Sequence, residues 1–175
     1  MSEYQFTLRF DVAAVDVRPE DVVELLGASG CDDALVGIGR AGRVALAFDR
    51  DAGSAMEAVI SAIRDVKRAL PGALLLEATP DLVGVTELAG VVGRTRQNVR
   101  MLLQSHHASA PAPVHEGGSS LWPLAAVLVW LRDEKSYSIR DELLDLARAT
   151  MRIDLAIDRG YADGAMQKEI ATLLT

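Results

Sequence analysis

The chain has 175 residues, half of them hydrophobic, and a formal net charge of −7. That length suits one large domain or two small ones, and the apolar fraction excludes general disorder. The single cysteine, Cys31, excludes an internal disulfide and a cysteine-based zinc cluster. No basic region followed by an apolar core opens the sequence, so no secretory leader is expected. The longest apolar run, residues 121–131, contains Pro123 and is too short to cross a bilayer. A cytoplasmic protein without membrane contact is the expectation.

In chain order, residues 4–12 alternate apolar and polar, with Tyr4, Phe6, Leu8, Phe10 and Val12 on one face, which predicts a strand. Pro19 opens a helix whose first turn carries Glu20 and Asp21, where the helix dipole favours acids. Val22, Val23, Leu25 and Leu26 form its expected buried stripe, and Gly27 or Gly30 ends it. Residues 34–38 and 43–49 predict two strands joined by a turn at Gly39-Arg40-Ala41-Gly42. The stretch from Gly37 to Gly42 also fits G-x-G-x-x-G. A dinucleotide site needs such glycines to open a helix, whereas these run into an alternating strand, so the hairpin turn is preferred. Ser54 caps a helix in which Ala55, Val59, Ala62, Ile63, Val66 and Leu70 recur at helical spacing, and Pro71-Gly72 stops it. Residues 73–78 make another strand. The order β-α-β-β-α-β predicts a ferredoxin-like antiparallel sheet with two helices on one face, over residues 1–79. Thr79-Pro80-Asp81 is the expected boundary.

The remainder reads as helical with one hairpin. Helices are predicted at 86–92 and 95–105, then a loop rich in Ser, Ala and Pro. Val114-His115 and Ser120-Leu121-Trp122 form a small hairpin around Glu116-Gly117-Gly118-Ser119. Pro123 starts a helix through Glu134, with Leu124, Val127, Leu128 and Leu131 on its core side. A last long helix runs over 140–159, its stripe being Leu143, Leu144, Leu146, Ala147, Met151 and Leu155, and residues 160–175 add a short end helix. The segment 137–175 is a candidate dimerisation element.

Residues 85–104 carry the functional signal. They read as two short helices broken at Gly93, a helix-turn-helix. Thr86 is the expected cap of the first helix and Thr95 of the second. Ala89 is small where the helices cross, and Gly93 supplies the left-handed turn conformation that a Cβ opposes. Leu88, Val92, Val99 and Leu102 face inward. Between Leu88 and His115 there is no Asp or Glu, while Arg94, Arg96 and Arg100 all lie there. An acid-free window in an acidic chain suits a duplex, with salt-sensitive affinity.

The segment from Leu82 to Lys135 resembles the winged helix-turn-helix domains of phage excisionases and AlpA-type regulators, and more distantly those of MerR regulators. The resemblance rests on Leu82-Val83-Gly84-Val85-Thr86-Glu87-Leu88-Ala89, on Gly93-Arg94-Thr95-Arg96-Gln97-Asn98-Val99, on Ala112-Pro113-Val114, and on Trp122 with Val127-Leu128-Val129-Trp130-Leu131. It implies a recognition helix at 95–105 in the major groove, with Thr95, Arg96, Gln97, Arg100 and Gln104 at the DNA. Arg96 or Arg100 would grip guanine or phosphate, and Gln97 or Asn98 would read adenine. His115, Ser119 and Ser120 would lie in or beside the wing. Two positions depart from the family pattern. Arg94 stands where the turn is usually apolar, which makes it a phosphate contact, and the wing tip has no Lys or Arg.

Each of these features has a plainer reading. Arg96, Gln97 and Arg100 also fit a solvated helix face. His106-His107 are adjacent and point apart, so a helix end suits them better than a metal site. Trp122 and Trp130 fit core anchors, and Cys31 a small buried residue. Asp32-Asp33 and Asp49 with Asp51 flank element ends, where acids serve as caps, and no nucleophile with a base accompanies them. The expectation is an α+β chain that is not an enzyme and takes no cofactor. It is read as a transcription regulator that binds double-stranded DNA as a homodimer, its N-terminal half taking a protein partner or a small ligand. The alternative is an interaction or ligand-sensing adaptor that does not bind DNA directly.

Overall fold

The computed structural model describes residues 1–160 and shows a mixed α+β fold. The short end helix expected beyond residue 160 lies outside the described residues. The N-terminal part runs β1 (Ser2–Asp11), α1 (Pro19–Ala28), β2 (Ala34–Ile38), β3 (Arg43–Ala52), α2 (Ala55–Ala69) and β4 (Leu74–Thr79). The four strands form one sheet in the order β2-β3-β1-β4, with antiparallel pairing throughout. The alternation of β1 is realised: Tyr4, Phe6, Leu8 and Phe10 are buried, facing the same core as Val44, Leu46 and Phe48 of β3. Phe6 and Phe48 are cross-strand partners with rings stacked 5.2 Å apart. Val12 lies one residue past the end of β1, although its N–H still donates to the Gly42 carbonyl in register with β3.

α2 enters as its sequence implies. The Ser54 hydroxyl accepts from the Glu57 N–H, and the Glu57 carboxylate accepts from the Gly53 N–H. α1 differs from expectation. Val22 and Leu26 are buried, but Val23 and Leu25 are 52% and 38% exposed. A ten-residue helix lying on one layer uses a narrow stripe one turn apart, and the wider stripe assigned from sequence does not fit it.

The second part comprises β5 (Leu82–Val83), α3 (Val85–Val91), α4 (Arg96–Ser105), β6 (Trp122–Pro123), α5 (Leu124–Lys135) and α6 (Asp141–Arg159). α3 is capped by Gly84 and not by Thr86, which sits inside the helix. Pro123 belongs to β6 and is the cap of α5, which starts at Leu124; the β5–β6 pairing holds Pro123 extended.

α6 joins the two parts. Leu146 and Ala149 enter the core beneath the sheet, while Leu144 and Ala147 enter a second core with Leu88, Val99, Leu103, Val127, Leu128 and Trp130. Its polar side chains tie three further points. Asp145 accepts from the Ala55 N–H at the start of α2 (2.9 Å), and Asp154 from the Ala78 N–H on the edge of β4 (2.8 Å). The Thr150 hydroxyl donates to the Pro80 carbonyl between β4 and β5. The stripe expected to form a seam with a second copy is thus mostly occupied within the chain. Leu144, Leu146 and Ala147 are buried, and Leu155 is the member left exposed.

Candidate nucleic-acid interface

The link from α3 to α4 is a Schellman turn. Gly93 has φ +63°, the Arg94 N–H donates to the Ala89 carbonyl (2.9 Å) and the Gly93 N–H to the Gly90 carbonyl. The position after the glycine usually packs an apolar side chain back on its helix. Here Arg94 does the packing: its guanidinium carbon stands 5.7 Å from the centre of the Tyr137 ring.

Thr95 starts α4, its hydroxyl accepting from the Asn98 N–H at 3.2 Å. Val99 and Leu103 are buried beneath the helix and Leu102 is half-buried. The opposite face is open. Arg94, Thr95, Arg96, Gln97, Asn98, Arg100 and Gln104 are all exposed. The three arginines enter no ion pair with any described residue, in contrast to Arg9, Arg18, Arg43, Arg50, Arg68 and Arg132. Sequence reasoning missed Met101, which is 60% exposed among these polar residues. An apolar side chain at the i+4 position from Gln97 was its only signal.

The hairpin forms through Val114 and Leu121: the Val114 N–H donates to the Leu121 carbonyl and the Leu121 N–H to the His115 carbonyl. β5 pairs with β6 and anchors its base. This two-residue strand is too short for any period to reveal. His115 and Ser119 are exposed and Ser120 half-buried. The His115 ring folds over the turn, for a Cβ on Gly117 would stand 2.8 Å from its Nε2.

The other polar candidates have structural partners. His106 lies edge-on to Trp130, whose indole N–H donates to Ser109. Asp33 binds the buried Arg50 through both oxygens (2.6 and 2.9 Å), and Arg50 also reaches Asp65 at 2.9 Å and the Gly30 carbonyl at 2.7 Å. Cys31 is buried beside this network, and burial pushes its thiol up to about 11, so it stays protonated at neutral pH.

The open face of the sheet has a different character. Gln5, Thr7 and Arg9 of β1 lie beside Ala47 and Asp49 of β3. Glu3 lies across from Asp51, and the charge of Asp49 raises the exposed Glu3 carboxyl above its ordinary value. A cleft of about 710 Å³ separates this face from β5, α3 and Leu121. Its walls include Thr7, Arg9, Asp49 and Glu77 on one side and Leu82, Glu87 and Val91 on the other. Among the described residues the face carries acids and no exposed aromatic on which a base could stack.

No described helix is long and apolar enough to cross a membrane. Compared with protein-family models, with curated proteins and with solved structures, the chain matches none of them.

Proposed function

We propose that this chain is a sequence-specific regulator of transcription that binds double-stranded DNA. In this reading residues 1–79 are a ferredoxin-like unit and residues 82–135 a winged helix-turn-helix. The supporting observation is the open face of α4: Arg96 and Arg100, which pair with no described residue, the amides of Gln97, Asn98 and Gln104, and Arg94 in the turn before them, with no acid between residues 88 and 115. Cations that pair with no described residue on a capped helix suit phosphate contact, and exposed amides suit base edges. Gln97, Arg100, Met101 and Gln104 follow the i, i+3, i+4, i+7 spacing, so one ridge combines adenine-reading amides with a thioether that fits a thymine methyl. Arg94, held over Tyr137, flanks that ridge toward the backbone. The wing adds His115, Ser119 and Ser120 as polar contacts.

Titration of duplex DNA at several salt concentrations tests the reading. The wild-type affinity is expected to fall steeply with salt. Arg96→Ala with Arg100→Ala is expected to reduce the log–log slope by about 2 while circular dichroism and thermal unfolding stay unchanged. Wild-type binding that ignores salt, or a double variant that binds like wild type, would remove α4 as the interface.

The cleft against the open sheet face favours a second role, small-ligand sensing. Arg9, already paired with Glu77, and the carboxylates of Asp49 and Glu87 give its walls both signs of charge, a pattern suited to a small zwitterion that exchanges with that pair.

A further inference from the structure

The two edges of the sheet are treated differently. α6 lies against β4, and Asp154 satisfies an outward N–H there. Among the described residues, no element pairs with the outer edge of β2. The Asp33 carbonyl accepts from the Asp49 N–H, so Asp33 directs its backbone toward β3, and by the two-residue period so do Leu35 and Gly37. Ala34, Val36 and Ile38 direct theirs outward. The Ala34 N–H turns to the Cys31 carbonyl, which leaves the Ala34 carbonyl and both groups of Val36 and Ile38 open. Natural edges are kept single by lysine, proline, bulges or cover. β2 reads Ala-Leu-Val-Gly-Ile in unbroken register, with Leu35 78% and Ile38 47% exposed.

We propose that β2 pairs antiparallel with β2 of a second copy of this chain, about a two-fold axis at Val36, joining two sheets into one. The strand is self-complementary about that residue. Val36 exchanges both backbone bonds with its own counterpart, and the Ala34 carbonyl meets the Ile38 N–H. Leu35 lies across from Gly37, where no side chain obstructs it. Charge selects this register. Asp32 and Arg40 stand two residues beyond the opposite ends of β2; both are exposed and neither enters an ion pair with a described residue. Pairing about Val36 brings the turn that carries Asp32 in each copy beside the turn that carries Arg40 in the other, twice, and a shifted register separates both pairs. Because the contact is isologous, it closes at two copies and does not propagate into a fibre. The pairing stands apart from the DNA reading, although two α4 helices in one particle would raise affinity for a two-site duplex.

Sedimentation or light scattering over a range of micromolar concentrations tests it. The full chain is expected to run at twice the mass of one copy. Val36→Pro removes an outward N–H without touching the β2–β3 ladder, and is expected to give monomers. Arg40→Asp places like charges opposite each other at both ends and is expected to weaken the dimer by about tenfold. Adding Asp32→Arg to Arg40→Asp restores it. The charge variants leave the sheet interior untouched, so they remain decisive if Val36→Pro misfolds. A wild-type chain that stays monomeric, its edge facing water or covered by residues 161–175, overturns the proposal. So does a dimer indifferent to the charge exchange.

Discussion

The Asp154 carboxylate of α6 accepts a hydrogen bond from the Ala78 N–H of β4 at 2.8 Å. A helix side chain thereby does for an edge strand what a fifth strand would do. The position is electrostatically expensive, because burial disfavours the charge and the nearby Asp81, Glu77 and Asp158 add to that effect, pushing Asp154 up to about 7. Asp81 is itself buried, its Oδ1 has no hydrogen-bond partner among the described residues, and burial raises its carboxyl too.

A pH dependence follows. In the unfolded chain Asp154 releases its proton near its ordinary value of 3.8, while in the folded chain it holds it to about 7. Between these values the native state binds more protons than the unfolded state, so stability falls as pH rises from about 4 to about 7 and levels off above. Asp154→Asn keeps an acceptor for Ala78 and removes the charge. It is expected to raise stability at pH 8 by about 1–2 kcal/mol, allowing for the water that reaches the site, and to flatten the slope. Urea unfolding at pH 5 and pH 8 checks both.

Arg50 joins the loop before β2 to β3 and α2 through Asp33, Asp65 and Gly30. Arg50→Met leaves Asp33 without its cation and Asp65 with Arg68 alone, and is expected to cost about 3 kcal/mol, whereas Arg50→Lys recovers only part, since an ammonium cannot serve the fork of contacts. Denaturant midpoints of the three proteins decide it. Equal losses for Met and Lys would mean that geometry and not charge dominates.

Gly93→Ala forces a Cβ into the left-handed conformation at the helix turn and is expected to destabilise the chain by about 1–2 kcal/mol. Nothing lies within 4 Å of the added Cβ, so backbone strain alone supplies the loss. Gly90→Ala, in the helix just before, is expected to be neutral or stabilising. Thermal unfolding of the pair separates strain from crowding.

Gln97→Ala and Arg100→Ala are expected to act differently on DNA. Loss of the amide should lower affinity for the preferred sequence by about 1–3 kcal/mol and spare unrelated duplex. Loss of a phosphate-binding arginine should weaken both and reduce the salt slope by about 1. Competition titrations with specific and unrelated duplexes measure the two effects.

The periodicity of β1, the Ser54 and Thr95 caps and the left-handed Gly93 were all legible in the chain, because each depends on neighbours a few residues away. So was the outward set on α4, since polar residues opposite Val99 and Leu103 have nowhere else to point. The cap at Gly84, the two-residue β5 and the narrow stripe of α1 were not, as pairing partners and helix contacts arise only across the fold. Nor could local pattern reveal that Arg50 gathers Asp33 and Asp65, or that the stripe of α6 fills two cores of its own chain. By itself the sequence determined which of the longer segments become helix or strand and, α1 apart, which face of each is apolar. Only the tertiary structure decided what each face meets, because hydrophobic burial fixes the orientation of a side chain and leaves its partner to be chosen by packing among distant elements.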